Sequence, residues 1–182
     1  ATARSNDSQI ECKVHPALVN KKNILSKIDG AMNAVKILGD KFGTSMLYGH
    51  GAGGAATASA VVSNITDYCI HLDRKVKRKL DSIDSGSREL VDIQNISDQY
   101  YLRMFANDVP GVMADVTSAL AKHQISIEAV TQHEPFENEK LIPVVMITNS
   151  VRYKDILSAI KKIETMDNII GDVNLIRVFN DD

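Results

Sequence analysis

The feature that most constrains the fold of this chain is a change of hydrophobic period between Gln99 and Phe179. Tyr100-Tyr101-Leu102-Arg103-Met104-Phe105-Ala106 alternates as a strand, and Asn107-Asp108-Val109-Pro110-Gly111 has the composition of a turn. Val112, Val116 and Leu120 then recur at helical spacing up to about His123. Ile125–Gln132 and Leu141–Thr148 read as strands. Ile156, Leu157, Ile160 and Ile163 mark a second helix, and Ile169–Phe179 a last strand. The order βαββαβ predicts an α+β, ferredoxin-like layout, one sheet with two helices on one face.

The first half is organised around Tyr48-Gly49-His50-Gly51-Ala52-Gly53-Gly54, followed directly by an Ala/Ser/Val-rich helical pattern. Thr44–Tyr48 reads as a strand, so the order is strand, glycine loop, helix. Such a loop can aim backbone N–H groups at an anion or a carbonyl oxygen, and glycine allows positive φ and close approach. A tight connection accounts for the same cluster. The dinucleotide fingerprint is not met, because no second strand and acidic residue follow at the required distance.

Before the loop, Gln9–Val14 alternates as a strand that His15-Pro16 breaks, and Asn23 can cap a short helix over Asn23–Ile28. Asn33–Leu38 and Thr44–Tyr48 form two strands joined through Gly39–Gly43. After it, Ala58, Val61, Val62, Ile65, Tyr68, Cys69, Leu72, Val76 and Leu80 give one amphipathic helix from Ala56 to about Leu80. Thr57 or Ser59 can cap its start or bond a ligand, capping being the simpler use. The basic run Arg74–Lys79 suits its negative end and reads as a solvated face. Asp81–Ser97 is polar and reads as a linker.

Composition narrows the function. Residues 1–96 carry a net charge of +3 and residues 97–182 one of −5, which argues against nucleic-acid binding. No apolar run approaches the length of a membrane span, and two distant cysteines, Cys12 and Cys69, suit a reducing cytoplasm. The histidines His15, His50, His71, His123 and His133 show no zinc-ligand spacing, so no metal site is expected. The start, Ala1-Thr2-Ala3-Arg4, lacks an initiator Met and runs into a strand, so the chain reads as a fragment.

Residues 98 to about 180 resemble the ACT domain, a small regulatory fold that binds amino acids. The resemblance rests on Asn107–Val116 after the first strand and Ala121–Glu128 entering the second. It implies effector contacts at Asn107, Asp108, Val109, Gly111, Val112 and Met113, and assembly into at least a dimer. The alternative is a plain ferredoxin-like domain whose turn is only a turn.

Residues 1–80 resemble the C-terminal part of the catalytic region of homoserine dehydrogenase. The matching stretches are Val14–Val19, Gly30–Val35 and Tyr48–Gly54 with Thr57–Val62, in that order. His50 departs from the pattern, falling where the family usually has Pro. The resemblance implies NAD(P)-dependent interconversion of aspartate semialdehyde and homoserine, on the route to threonine, methionine and isoleucine. It further implies that NAD(P) is bound mainly by a preceding Rossmann domain outside this segment, with Gly53 and then Gly51 approaching it here. The catalytic residues are expected upstream, so this segment alone should be inactive. The expected division is 1–80 catalytic region, 81–97 linker and 98–182 ACT domain, with threonine as effector. A non-catalytic amino-acid sensor and a ligand-free dimerisation element are the alternatives.

Overall fold

The computed structural model describes residues 1–6, 8–74, 88–132 and 141–181. These divide into two compact units, one formed by Ala1–Leu18 with Ser87–Asp182, the other by Val19–Gly86.

The first unit is built on the βαββαβ order. Strand β7 (Ser97–Asn107) leads into α2 (Val112–Lys122), β8 (Ile127–Gln132), β9 (Leu141–Thr148), α3 (Tyr153–Glu164) and β11 (Ile169–Phe179). The sheet order is β3-β11-β7-β9-β8, where β3 is Ala17–Val19, and the β11-β7, β7-β9 and β8-β9 pairs are antiparallel. A two-residue strand, β10 (Val151–Arg152), pairs with the start of β7.

Alternation decides which face of β7 is covered. Tyr100, Leu102, Met104 and Ala106 are buried, and they join Val112, Val116 and Leu120 of α2 with Ile156, Ile160 and Ile163 of α3 in one apolar core. Leu102 is fully buried, so its truncation to alanine would cost about 2–5 kcal/mol. The register of β11 shifts between Ile170 and Asn174, where Gly171 takes a φ of +74°. This bulge frees the Val173 N–H, which donates to Glu164 Oε1 at 2.9 Å.

The N-terminal strands β1 (Thr2–Ser5) and β2 (Gln9–Lys13) pair antiparallel, and β2 pairs parallel with β6 (Glu89–Leu90). The described part of the polar stretch 81–97 is therefore structured. It holds β6, a short 3-10 helix at Ile93–Asn95 capped by the Asp92 carboxylate, and Ile96, which is buried.

In the second unit, a 3-10 turn at Ile24–Lys27 is capped by Asn23, whose side chain accepts from the Leu25 N–H. Strands β4 (Met32–Gly39) and β5 (Gly43–His50) form an antiparallel hairpin, followed by α1 (Gly54–Arg74). Helix α1 begins two residues before the expected Ala56, so Thr57 and Ser59 lie inside it rather than at its cap. The continuation to Leu80, with basic residues 75–79, and residues 81–87 lie outside the described residues. Among the described residues no helix is long and apolar enough to cross a membrane.

Candidate functional site: two glycine-bearing turns

Each unit carries one turn of interest. In the first unit, β7 ends at Asn107, whose backbone N–H donates to Asn168 O at 2.9 Å and whose side-chain Nδ2 donates to Asn168 Oδ1 at 3.4 Å. This anchors the strand end to the loop before β11 and leaves Asn107 Oδ1 as an acceptor. Asp108, Val109 and Pro110 are exposed, with Val109 tightening the turn by donating its N–H to Asn107 O at 2.9 Å.

Gly111 precedes α2 with φ +99° and ψ −23°, a left-handed conformation that glycine adopts without a Cβ penalty. It supplies no side-chain cap. The first N–H groups of α2 have no partner within the helix, so Val112, Met113 and Ala114 present donors at its positive end. A Cβ on Gly111 would meet nothing within 4 Å among the described residues.

Side chains at the expected effector positions divide in two. Asn107 is half-buried, Asp108 and Val109 are exposed, and Val112 is turned into the core. Met113 packs partly against that core. The turn can therefore offer N–H donors, one carboxylate and one amide oxygen, while Val112 contributes its backbone alone. That combination matches the two opposite charges of an amino acid.

In the second unit, the loop Gly51–Gly53 joins β5 to α1. Gly51 donates its N–H to Ala31 O at 3.2 Å, and Gly53 O accepts from Thr57 N at 3.0 Å in the first turn of α1. The two glycines have different reasons to be glycine. A Cβ on Gly51 would overlap the Asn33 side chain, so this position is small to let Asn33 in. Gly53 has φ +116°, and a Cβ there would meet nothing within 4 Å among the described residues. A flat cofactor ring could approach Gly53 closely, and the arrangement fits that use. His50 ends β5 opposite Met32 and is exposed.

Among the described residues no group of three or more His, Cys, Asp and Glu is placed to hold a metal ion. Sequence reading did not single out a buried ionic cluster in the first unit. Lys13 Nζ lies 2.5 Å from Asp98 Oδ1, and Arg177 Nε lies 3.0 Å from Asp98 Oδ2. The Arg177 guanidinium carbon sits 4.4 Å from the centre of the Tyr153 ring and 5.7 Å from that of Tyr100. Burial of Tyr100 pushes its phenol up to about 12, with Arg177 pulling downward and Asp98 adding to the rise. No signal in the sequence marked this cluster, since Lys13 falls on the polar side of the alternation with Gln9 and Glu11.

The strand order and the two helices on one face define the first unit as an ACT-type α+β module, and residues 100–165 match the ACT domain model. Residues 1–66 match the homoserine dehydrogenase model. Along nearly its whole length the chain is similar to the C-terminal part of homoserine dehydrogenases. It is 34% identical over 181 residues to the enzyme of that name from Pseudomonas aeruginosa, covering 97% of this chain and 42% of the relative. With the Helicobacter pylori homoserine dehydrogenase it shares 33% identity over 179 residues, covering 98% and 41%. The solved structure of a homoserine dehydrogenase from Thiobacillus denitrificans superposes with a TM-score of 0.79 at 32% identity, covering 98% of this chain and 41% of that one. The chain thus spans about two fifths of the length of these relatives.

Proposed function

We propose that this chain is the ACT-bearing, C-terminal portion of a homoserine dehydrogenase and that its first unit binds L-threonine as a regulatory effector. The observation that carries the reading is the uncapped N-terminus of α2 behind Gly111, beside the acceptors of Asn107 and Asp108. An amino acid brings a carboxylate for the N–H donors of Val112 and Met113 and an ammonium for Asn107 Oδ1 and the Asp108 carboxylate. Val109, exposed on the same turn, would rest against the effector side chain.

The parent activity we propose is the NAD(P)-dependent interconversion of L-aspartate semialdehyde and L-homoserine. Bound NAD(P) would supply the hydride acceptor or donor. In this chain Gly53 would let the backbone come against the nicotinamide without a Cβ between them, while Gly51 holds the loop by accommodating Asn33. The residues that bind substrate and move its proton are proposed to lie upstream, so residues 1–182 alone are inactive. Assembly through the ACT sheet is proposed as well, with β8 as the free edge of β3-β11-β7-β9-β8.

The test is an amide NMR titration of the whole chain with L-threonine. The reading expects saturable shifts at Val112, Met113 and Ala114 and none with D-threonine. Absence of any shift at α2 contradicts it. An assay of the same chain with homoserine and NADP is expected to give no turnover.

A further inference from the structure

Lys13 is the one charged residue buried among the described residues, with a side chain 5% exposed. Its partner Asp98 lies near the start of β7 and is shared with Arg177 of β11; these side chains are 13% and 11% exposed. A buried ammonium left without its carboxylate is strongly unfavourable, so Lys13 is held where Asp98 holds it. Arg177 is fixed independently, by its stacking on Tyr153 at the start of α3. Asp98 is therefore pinned from one side by the core of the ACT unit and pins β2 from the other.

Three further contacts attach the same N-terminal segment. Arg4 Nη2 donates to Asn180 O at 3.0 Å, the Val91 N–H donates to Ile10 O at 2.9 Å, and β3 extends the ACT sheet beside β11. None of these buries a charge. Strand β1 is mostly exposed, and β3 is three residues long, so neither brings an apolar interior of its own. Yet residues 1–18 belong to the stretch that matches the homoserine dehydrogenase model, not the ACT model.

We infer that Lys13, Asp98 and Arg177 form a clasp that makes residues 1–18 a working part of the ACT unit. The ACT sheet thereby takes hold of the chain immediately before it enters the second unit at Val19. Residues 1–18 then follow the conformation of β7 and β11, and the link to the second unit begins after the clasp rather than at the boundary of family resemblance.

Hydrogen exchange on the whole chain, read by mass spectrometry, tests this with Lys13→Met and Lys13→Arg. Methionine keeps the length of the side chain and removes its charge. In Lys13→Met the amides of Gln9–Lys13 and Ala17–Val19 are expected to exchange at least tenfold faster, while those of Val144–Met146 and Ile156–Ile163 keep the parent rate. Lys13→Arg is expected to stay within a factor of two of the parent throughout. Exchange of β2 and β3 in Lys13→Met within a factor of two of the parent overturns the inference. So does equal acceleration in both variants, because charge would then not be the tie. Acceleration spread evenly over α3 and β9 also overturns it, since Lys13 would then support the whole core rather than the N-terminal segment.

Discussion

Arg177 reaches across from β11 to Asp98 on β7, with Nε 3.0 Å from Oδ2, while its guanidinium carbon lies over the Tyr153 ring, 4.4 Å from its centre. The residue directly opposite Arg177 in the ladder is Tyr100, so the ion pair runs diagonally and tucks the charge under the first turn of α3. Arg177→Met keeps most of the stem but leaves Asp98 with Lys13 alone. The expected loss is about 3 kcal/mol of unfolding free energy, measured by urea titration. Arg177→Lys should recover less than half of it, because an ammonium neither stacks on the ring nor matches the carboxylate edge.

Tyr100 gives a pH signature. Its ring is fully buried, and among the described residues no group stands within hydrogen-bonding geometry of its hydroxyl. With the folded value raised to about 12 against an ordinary value of 10.0, the neutral phenol is favoured by folding. The associated stability is complete below pH about 10 and is lost as the pH rises toward about 12, by roughly 2 kcal/mol. Tyr100→Phe should abolish that loss and, by deleting an unpaired buried hydroxyl, raise stability at neutral pH by about 1 kcal/mol. Ultraviolet titration of the phenols together with urea unfolding at several pH values checks both statements.

The βαββαβ order was legible because β7 alternates, β9 is a nearly continuous apolar run, β11 is a long stretch rich in Ile and Val, and α2 and α3 repeat apolar residues at helical spacing. Asn23 was legible as a cap for the same local reason, a short acceptor ahead of a turn. What local pattern could not show was set by distant partners. Ala17–Val19 is a strand only because β11 lies beside it, and Glu89–Leu90 only because β2 does. The clasp joins residues 85 and 79 positions apart, each of which reads alone as a solvated charge. Thr57 and Ser59 looked like caps because Gly54 and Ala55 were counted with the loop, whereas a glycine with positive φ at position 53 already turns the chain into α1. The turn before α2 was visible through Pro110-Gly111 and the one before α1 as a glycine cluster, but nothing in the sequence distinguished Gly51, which makes room for Asn33, from Gly53, where a Cβ would meet nothing among the described residues.

That distinction predicts opposite remedies. Gly53→Ala must place an L side chain at φ +116° and should cost about 1–2 kcal/mol that no neighbouring change relieves. Gly51→Ala collides with the Asn33 side chain down to its Cβ, 3.0 Å from the added one, so adding Asn33→Gly, which removes that Cβ as well, should bring the double variant within about 0.5 kcal/mol of Asn33→Gly alone. Thermal unfolding of the four variants reads the difference.

Among the described residues strand β8 ends the sheet, and apart from its first residue it is exposed, with Val130 at 47%. If two copies pair along this edge, Val130→Lys should shift sedimentation toward the monomer without lowering the unfolding temperature. An unchanged dimer would place the contact elsewhere.

The central claim is amino-acid recognition by the turn Asn107–Gly111 and the start of α2. Isothermal titration with L-threonine, alongside L-methionine, L-isoleucine and L-homoserine, tests it most directly. Saturable binding of threonine alone, weakened at least tenfold in Gly111→Ala, where φ +99° would have to carry a methyl group, is the predicted result. No heat with any of the four, or threonine binding that Gly111→Ala leaves unchanged, would contradict it.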